Sequence, residues 1–199
     1  SGNAMITARN RLGGTGTQNA ALAVGGLSGY PSSAANHRAE TEEYDGTNWS
    51  AGGALINCRA VYDSAGTVNA GLAFGGTSPG YQSGVEKYNG TAWSVSTSLP
   101  TAYGYIAQVG TQNAALGMGG YAPGTAVACA HSFNGIAWTK ESDLHEAKFS
   151  PGGFGTETAA VAATGGTPSV TAKSEEWNCA SYNIGAWSTA PPFGTPRAA

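Results

Sequence analysis

The stretch GTQNAALAVGG at residues 16–26 decides how this 199-residue chain folds, because it recurs three more times. The later copies read GTVNAGLAFGG at 66–76, GTQNAALGMGG at 110–120 and GTETAAVAATGG at 155–166. Each is a short apolar run that ends at a glycine pair, a pattern typical of a short strand bounded by a turn. The glycine pairs are Gly25-Gly26, Gly75-Gly76, Gly119-Gly120 and Gly165-Gly166, spaced 50, 44 and 46 residues apart. This period indicates a repeat architecture.

Two aromatic landmarks follow each glycine pair in a constant order. The first is Tyr44, Tyr88, Phe133 or Trp177, and the second is Trp49, Trp93, Trp138 or Trp187. In the first three copies an Asp-Gly or Asn-Gly pair stands between them, which is a strong signal for a β-hairpin turn. A further strand, including residues 59–62 and 103–108, is expected between each tryptophan and the next Gly-Thr pair. The sequence therefore predicts four antiparallel strands in each repeat.

Four such sheets are expected to stack around an axis as the blades of a β-propeller, because a single sheet cannot bury two apolar faces. The predicted fold is thus all-β, with four four-stranded antiparallel blades at 9–58, 59–102, 103–147 and 148–196. Two arrangements stay open. The chain closes its own ring by pairing 4–12 with 193–199 in one blade, or it is a segment of a longer array or of a ring completed by another chain.

The double glycine, the tyrosine after it and the later tryptophan resemble the kelch repeat over nearly the whole chain. The Ala- and Gly-rich strand departs from that pattern and is similar to degenerate kelch-like arrays of bacteriophage and environmental bacterial proteins, including virion appendages. The fourth repeat departs further, with Trp177 in place of the tyrosine and NCASYNIG at 178–185 before Trp187. The resemblance implies a β-propeller whose loops share one recognition face.

Composition restricts the partners that such a scaffold could bind. Charged residues make up 11% of the chain, the formal net charge is −3, and the nine lysines and arginines are scattered singly. The lack of a basic patch argues against nucleic acid as a partner. No apolar stretch approaches the roughly 18 residues of a membrane helix, so no membrane insertion is expected.

Binding residues are expected in the loops between each glycine pair and the following aromatic residue, because binding residues concentrate on the variable loops of a rigid scaffold. The first repeat carries extra residues there, LSGYPSSAANHR at 27–38. The predicted binding residues are Tyr30, Asn36, His37, Arg38, Tyr81, Gln82 and Tyr121. The alternative is a solvated loop without a partner.

No catalytic or metal-binding pattern is found in the sequence. His37, His131 and His145 fall at different positions of the repeat, and neither an HxH nor an HExxH pattern is present. No cofactor and no metal are therefore predicted, and the chain is not expected to be an enzyme.

Acidic residues recur at one strand position, at Glu42-Glu43, Glu86 and Glu175-Glu176. On an alternating strand, one side chain of each pair is expected in solvent and the other near a loop. A calcium-binding or acid–base role for these residues is the less favoured alternative.

Together these patterns predict a non-catalytic structural or binding module of a virion, such as a bacteriophage tail fibre, or of another extracellular appendage. Its expected partners are a protein or glycan surface, in adhesion, or copies of itself. The alternatives are a cytoplasmic kelch adaptor that binds a peptide and, less favoured, a kelch-like metalloenzyme. Adaptors of that kind present several arginines on the loop face, where this chain has Arg38 nearly alone.

Overall fold

A computed structural model describes residues 2–29, 33–166, 169–180 and 184–190, and within them the chain is nearly all β-structure. The long strands form four four-stranded antiparallel sheets, and each sheet uses one continuous stretch of chain. In every sheet the four strands lie side by side in chain order. This arrangement confirms the predicted four antiparallel strands in each repeat.

The sheets are numbered in chain order. Sheet 1 contains β1 (Gly13–Thr17), β2 (Ala20–Val24), β3 (Thr41–Tyr44) and β4 (Trp49–Ala51), with a 3-10 turn at Ala34–Asn36. Sheet 2 contains β5 (Ala65–Thr67), β6 (Ala70–Phe74), β9 (Val85–Tyr88) and β10 (Trp93–Ser96), with a small hairpin of β7 (Thr77–Ser78) and β8 (Gly80–Tyr81). Sheet 3 contains β11 (Ala107–Thr111), β12 (Ala114–Met118), β15 (Ala130–Phe133) and β16 (Trp138–Lys140), with a hairpin of β13 (Tyr121–Ala122) and β14 (Thr125–Ala126). Sheet 4 contains β17 (Gly152–Gly155), β18 (Ala159–Ala163), β19 (Ser174–Ala180) and β20 (Ile184–Ala190).

The two aromatic landmarks of each repeat face each other across the last two strands of their sheet. The pairs are Tyr44 with Trp49, Tyr88 with Trp93, Phe133 with Trp138 and Trp177 with Trp187. In sheet 1 the intervening turn is closed by Asp45, whose Oδ1 accepts hydrogen bonds from the amides of Thr47 and Asn48 at 2.8 and 2.7 Å. An asparagine closes the turns of sheets 2 and 3 in the same way. The next residue needs a positive φ, 95° at Gly46, which explains the recurring Asp-Gly and Asn-Gly pairs.

The core lies between neighbouring sheets. Leu22 and Val24 of β2 pack with Tyr88 and Trp93 of sheet 2. Equivalent clusters join sheet 2 to sheet 3 and sheet 3 to sheet 4. The first strands contact one another in the order β1, β5, β11, β17, so the four sheets lie in series. The described tryptophans of the repeat are buried or half-buried, as stacking of the sheets requires.

The glycine pair of the fourth repeat lies one residue earlier than the predicted Gly165-Gly166. Gly166 forms the β-bridge that, in the other repeats, belongs to the residue after the pair. Thr164 has a φ of 61°, the same as Gly25, and Gly165 has a φ of 93°. The structural pair is therefore Thr164-Gly165, and a β-branched residue occupies a left-handed position that favours glycine.

The strand expected before each Gly-Thr pair begins later than predicted. β5 starts at Ala65, whereas residues 59–62 contribute only the isolated bridge between Ala60 and Thr77. Residues 59–62 form a linker, from which the Arg59 side chain pairs with Glu86 of sheet 2. The pairing predicted for 193–199 lies outside the described residues.

Candidate functional site

A row of aromatic rings runs along the end of the sheets at which the second strands finish. The ring centroids of Tyr62 and Tyr105 are 4.1 Å apart, and those of Tyr105 and Phe149 are 4.6 Å apart. Tyr121 meets Phe149 edge-on at 5.5 Å, and Tyr81 lies 5.9 Å from Tyr121. Five rings from three repeats therefore form one continuous surface, which we call the aromatic row.

The same two elements of the repeat hold these rings. Tyr62 and Tyr105 stand just before β5 and β11, with φ values of 69° and 58°. Tyr121 opens the β13–β14 hairpin directly after the glycine pair and forms a β-bridge with Gly104. Non-glycine residues at positive φ are uncommon and concentrate at functional sites. The backbone is thus held in an unfavourable conformation where it presents two of the rings.

The aromatic row lines an open groove of about 710 Å³. Tyr81, Tyr105, Tyr121 and Phe149 form its walls together with small residues of the β13–β14 hairpin, and no charged side chain is found among the described residues of its lining. The Phe149 ring is 37% exposed, so it is available for contact. A groove of this composition favours an uncharged ligand with a flat apolar face.

The hydroxyl groups of Tyr81 and Tyr105 in the groove are neutral at physiological pH. Burial, together with a hydrogen bond to Tyr62, raises the pKa of Tyr105 to about 12. Burial also raises the pKa of Tyr81, with smaller contributions from Tyr105 and Tyr121. Each protonated phenol can donate and accept a hydrogen bond. The groove therefore combines apolar ring faces with neutral hydroxyl groups.

Of the predicted binding residues, the structure brings Tyr81 and Tyr121 together in the aromatic row. Gln82 lies beside them, but its side chain stabilises its own hairpin, because its Nε2 donates to the carbonyls of Ser78 and Gly80 at 3.2 and 2.9 Å.

The long loop of the first repeat is held by internal contacts. His37 is only 5% exposed, and its Nδ1 lies 2.8 Å from the carbonyl of Ser33. Arg38 donates to Ser28 Oγ at 2.7 Å, and the carbonyl of half-buried Asn36 accepts from the Ser28 amide at 3.0 Å. The structure therefore gives His37 a buried position rather than the exposed one that binding requires. Tyr30 lies outside the described residues.

The sequence reasoning missed Tyr62, Tyr105 and Phe149. The predicted binding residues lie in the loops after the glycine pairs, whereas these rings stand before the first strand of their repeats. The signal that could have found them is an aromatic residue in the linker ahead of three successive Gly-Thr pairs. Only the folded structure shows that these linkers lie beside the loops that carry Tyr81 and Tyr121.

A second recurring feature is a buried ion pair beneath the linkers that precede the first strand of the first, second and fourth repeats. The pairs are Arg9–Glu42 at 3.2 Å, Arg59–Glu86 at 3.1 Å and Lys148–Glu175 at 3.5 Å, all with side chains at most 3% exposed. The carboxylates also accept amide hydrogen bonds from their linkers, as Glu86 does from Ile56 at 2.7 Å. The buried acids Glu42, Glu86 and Glu175 lie near loops and Glu176 is in solvent, whereas Glu43 is half-buried and accepts a hydrogen bond from the Tyr88 hydroxyl. Each buried carboxylate pairs with a cationic side chain and accepts hydrogen bonds from backbone amides, and these contacts hold the linkers in place.

The third repeat replaces this ion pair by two rings. Tyr103 and His131 occupy the positions of the base and the acid, with ring centroids 5.8 Å apart. Burial lowers the pKa of His131, and Lys140 lowers it further. His145, the other histidine of this region, lies with Nδ1 3.1 Å from Glu175 Oε2. Neither histidine lines the groove.

No group of three or more His, Cys, Asp or Glu side chains in the part of the chain that the structure describes is arranged to hold a metal ion. None of the helical segments described is long and apolar enough to cross a membrane.

Comparison with known proteins identifies a fold rather than a family. No protein-family model matches the sequence, and no curated protein matches it. Among solved structures, YjhT, which has a β-propeller-like fold, is similar with a TM-score of 0.72 and 12% sequence identity. The match covers 89% of this chain and 68% of that chain. At this identity the likeness concerns the fold alone.

Proposed function

We propose that this protein is a non-catalytic binding module with a kelch-like propeller arrangement, and that its aromatic row binds neutral carbohydrate. The propeller arrangement is supported by four equivalent sheets stacked in series and by the likeness to YjhT. The kelch character is supported by the glycine pair, tyrosine and tryptophan of the repeat. The single observation that carries the binding role is the groove lined by Tyr81, Tyr105, Tyr121 and Phe149.

Carbohydrate fits this groove for chemical reasons. A sugar ring has a flat C–H face, which packs on aromatic rings, and a rim of hydroxyl groups, which pair with neutral phenols such as those of Tyr81 and Tyr105. The groove lining carries no charge, so it offers nothing to pair with phosphate or sulfate groups. A neutral glycan is thus favoured over an acidic ligand, and a nucleic-acid partner is disfavoured on the same ground.

The alternative functions find less support in this site. A peptide adaptor would use arginines, but Arg38 is bonded within its own loop to Ser28. An enzyme would need a nucleophile or base at the groove, and its lining offers only phenol and threonine hydroxyls. A glycan-binding module is consistent with the expected place on a virion or another extracellular appendage, which stays a proposal.

The test is binding of the purified chain to an array of neutral and acidic glycans, followed by calorimetric titration of the best neutral ligand. Loss of one stacking ring costs about 1–3 kcal/mol, so Phe149→Ala or Tyr121→Ala should weaken binding about tenfold to a hundredfold. Ile136→Ala is the matched control, because Ile136 is also an exposed large hydrophobic residue but lies outside the groove. Binding that is confined to acidic glycans, or that survives both groove substitutions, would refute the proposal.

A further inference from the structure

The two faces of a sheet have distinct partners in this stack. We call the face turned to the following sheet the forward face and the one turned to the preceding sheet the backward face. Forward faces present the central residue of the second strand, as Leu72 does towards sheet 3. Backward faces present the aromatic pair, as Tyr88 and Trp93 do towards sheet 1. Three such contacts join the four described sheets. Among the described residues, the forward face of sheet 4 and the backward face of sheet 1 therefore have no neighbouring sheet.

Among the residues that the structure describes, nothing packs over the forward face of sheet 4 as the next sheet does over its equivalents. Phe154 and Val161 are directly paired across β17 and β18, as Val109 and Leu116 are across β11 and β12. Val109 is 5% exposed and Leu116 is fully buried, whereas Phe154 is 60% exposed and Val161 is half-buried. Glu176 lies next to Val161 on this face and is exposed.

The backward face of sheet 1 is the other unmatched surface. Its aromatic pair, Tyr44 and Trp49, is half-buried, whereas the equivalent Tyr88 is fully buried against sheet 1. A large half-exposed aromatic pair on a sheet face is typical of a contact surface.

The polar groups of these two faces match each other. Between sheets 1 and 2, the Tyr88 hydroxyl donates a hydrogen bond to the Glu43 carboxylate. Glu176 occupies on sheet 4 the position of Glu43, and Tyr44 occupies on sheet 1 the position of Tyr88. The contacts between the other sheets lack this pair, since sheet 2 instead places Lys87 over the Phe133 ring. The two uncovered faces therefore carry the same acid and phenol as the contact between sheets 1 and 2.

From this match we infer that the forward face of sheet 4 binds the backward face of sheet 1 of a second copy of this chain. The contact repeats the packing between sheets 1 and 2, with Phe154 and Val161 against Tyr44 and Trp49 and a hydrogen bond from Tyr44 to Glu176. It joins two different surfaces, so it is head-to-tail and leads to a ring or a filament.

The test is sedimentation velocity of the whole chain over a series of micromolar concentrations. The wild type should grow in mass with concentration, at least to a dimer. Phe154→Asp blocks the forward face and Trp49→Asp the backward face, so each variant alone should be monomeric. Their equimolar mixture should form a dimer and nothing larger, because it contains one intact face of each kind. A mixture that stays monomeric, or a wild type that is monomeric throughout, would overturn the inference.

Milder variants protect the test against misfolding. Tyr44→Phe and Glu176→Gln keep the shape of both faces and remove the charged hydrogen bond, so each should weaken association about tenfold. Ile136→Asp is the matched control, because Ile136 is 78% exposed but belongs to neither face. Phe149→Ala should assemble normally, which separates this contact from the aromatic row. Equal association of Tyr44→Phe and the wild type would contradict the predicted pairing.

Discussion

The buried pair Arg59–Glu86 offers the sharpest test of how the linkers are held. Arg59 Nη1 lies 3.1 Å from Glu86 Oε1, and Arg59 Nη2 donates to the carbonyl of Ala73 at 3.1 Å. Both side chains are at most 2% exposed. The third repeat shows what replaces such a pair, since Tyr103 and His131 stand at the equivalent positions as a packed neutral pair. We therefore compare Arg59→Tyr, Glu86→His and the double variant.

Each single substitution should cost about 3–5 kcal/mol in the free energy of unfolding, because it leaves one charge buried without its partner. That is a large part of the roughly 5–15 kcal/mol that stabilises a typical domain. The double variant should cost about 2 kcal/mol less than the sum of the singles, because it removes both charges and installs the pair of the third repeat.

The assay is equilibrium urea unfolding at neutral pH, followed by tryptophan fluorescence and by circular dichroism to test for a single transition. If the cost of the double variant equals the sum of the two single costs to within about 0.5 kcal/mol, the view that the two residues act as one unit is refuted. Asp143→Asn is the control, because Asp143 is exposed in a surface ion pair with Lys140 and should change stability little.

Two further predictions concern single residues. Thr164→Gly should stabilise the protein by up to about 1 kcal/mol, since glycine relieves the strain at a φ of 61°, and a lower urea midpoint would contradict this. Burial raises the pKa of Asp63 from 3.8 to about 6, against the opposing effect of amide hydrogen bonds from Gln108 and Ser64. The folded state therefore binds this proton more tightly than the unfolded state, and stability should fall as the pH rises from 3.8 to about 6. Asp63→Asn should remove this fall, so the free energy of unfolding of the variant should rise by about 2 kcal/mol relative to the wild type between pH 4 and pH 7. An unchanged pH profile of unfolding would disprove this assignment.

The strands were predictable because their signals are local. The run before each glycine pair, and the Asp-Gly or Asn-Gly turn after Tyr44, Tyr88 and Phe133, specify their conformation within a few residues. The fourth glycine pair was misplaced because Thr164 adopts a glycine-like φ, which the sequence pattern conceals. Short-range sequence patterns therefore predict the strands well, but they do not reveal a residue such as Thr164 that adopts a strained φ.

The aromatic row was only half predictable. Tyr81 and Tyr121 were found because they follow glycine pairs, but Tyr105 and Phe149 join them only through contacts between repeats. His37 was proposed for its chemistry alone, and the fold buries it. Distances between loops of different repeats depend on how the sheets stack, which no single repeat encodes.

The linker residue that begins each later repeat makes one main-chain contact and one side-chain contact. These two contacts have a consequence for how such chains change in length. The carbonyls of Arg59, Tyr103 and Lys148 accept a hydrogen bond from the second residue of the preceding glycine pair, at Gly26, Gly76 and Gly120, at 2.9, 2.9 and 2.7 Å. The side chain of the same residue contacts an acid or a ring within its own repeat. At this residue the link to the preceding repeat uses only main-chain atoms, whereas its side chain is matched within its own repeat. A gene duplication or deletion that starts at this residue would carry its side-chain partner with it and would leave this main-chain link intact.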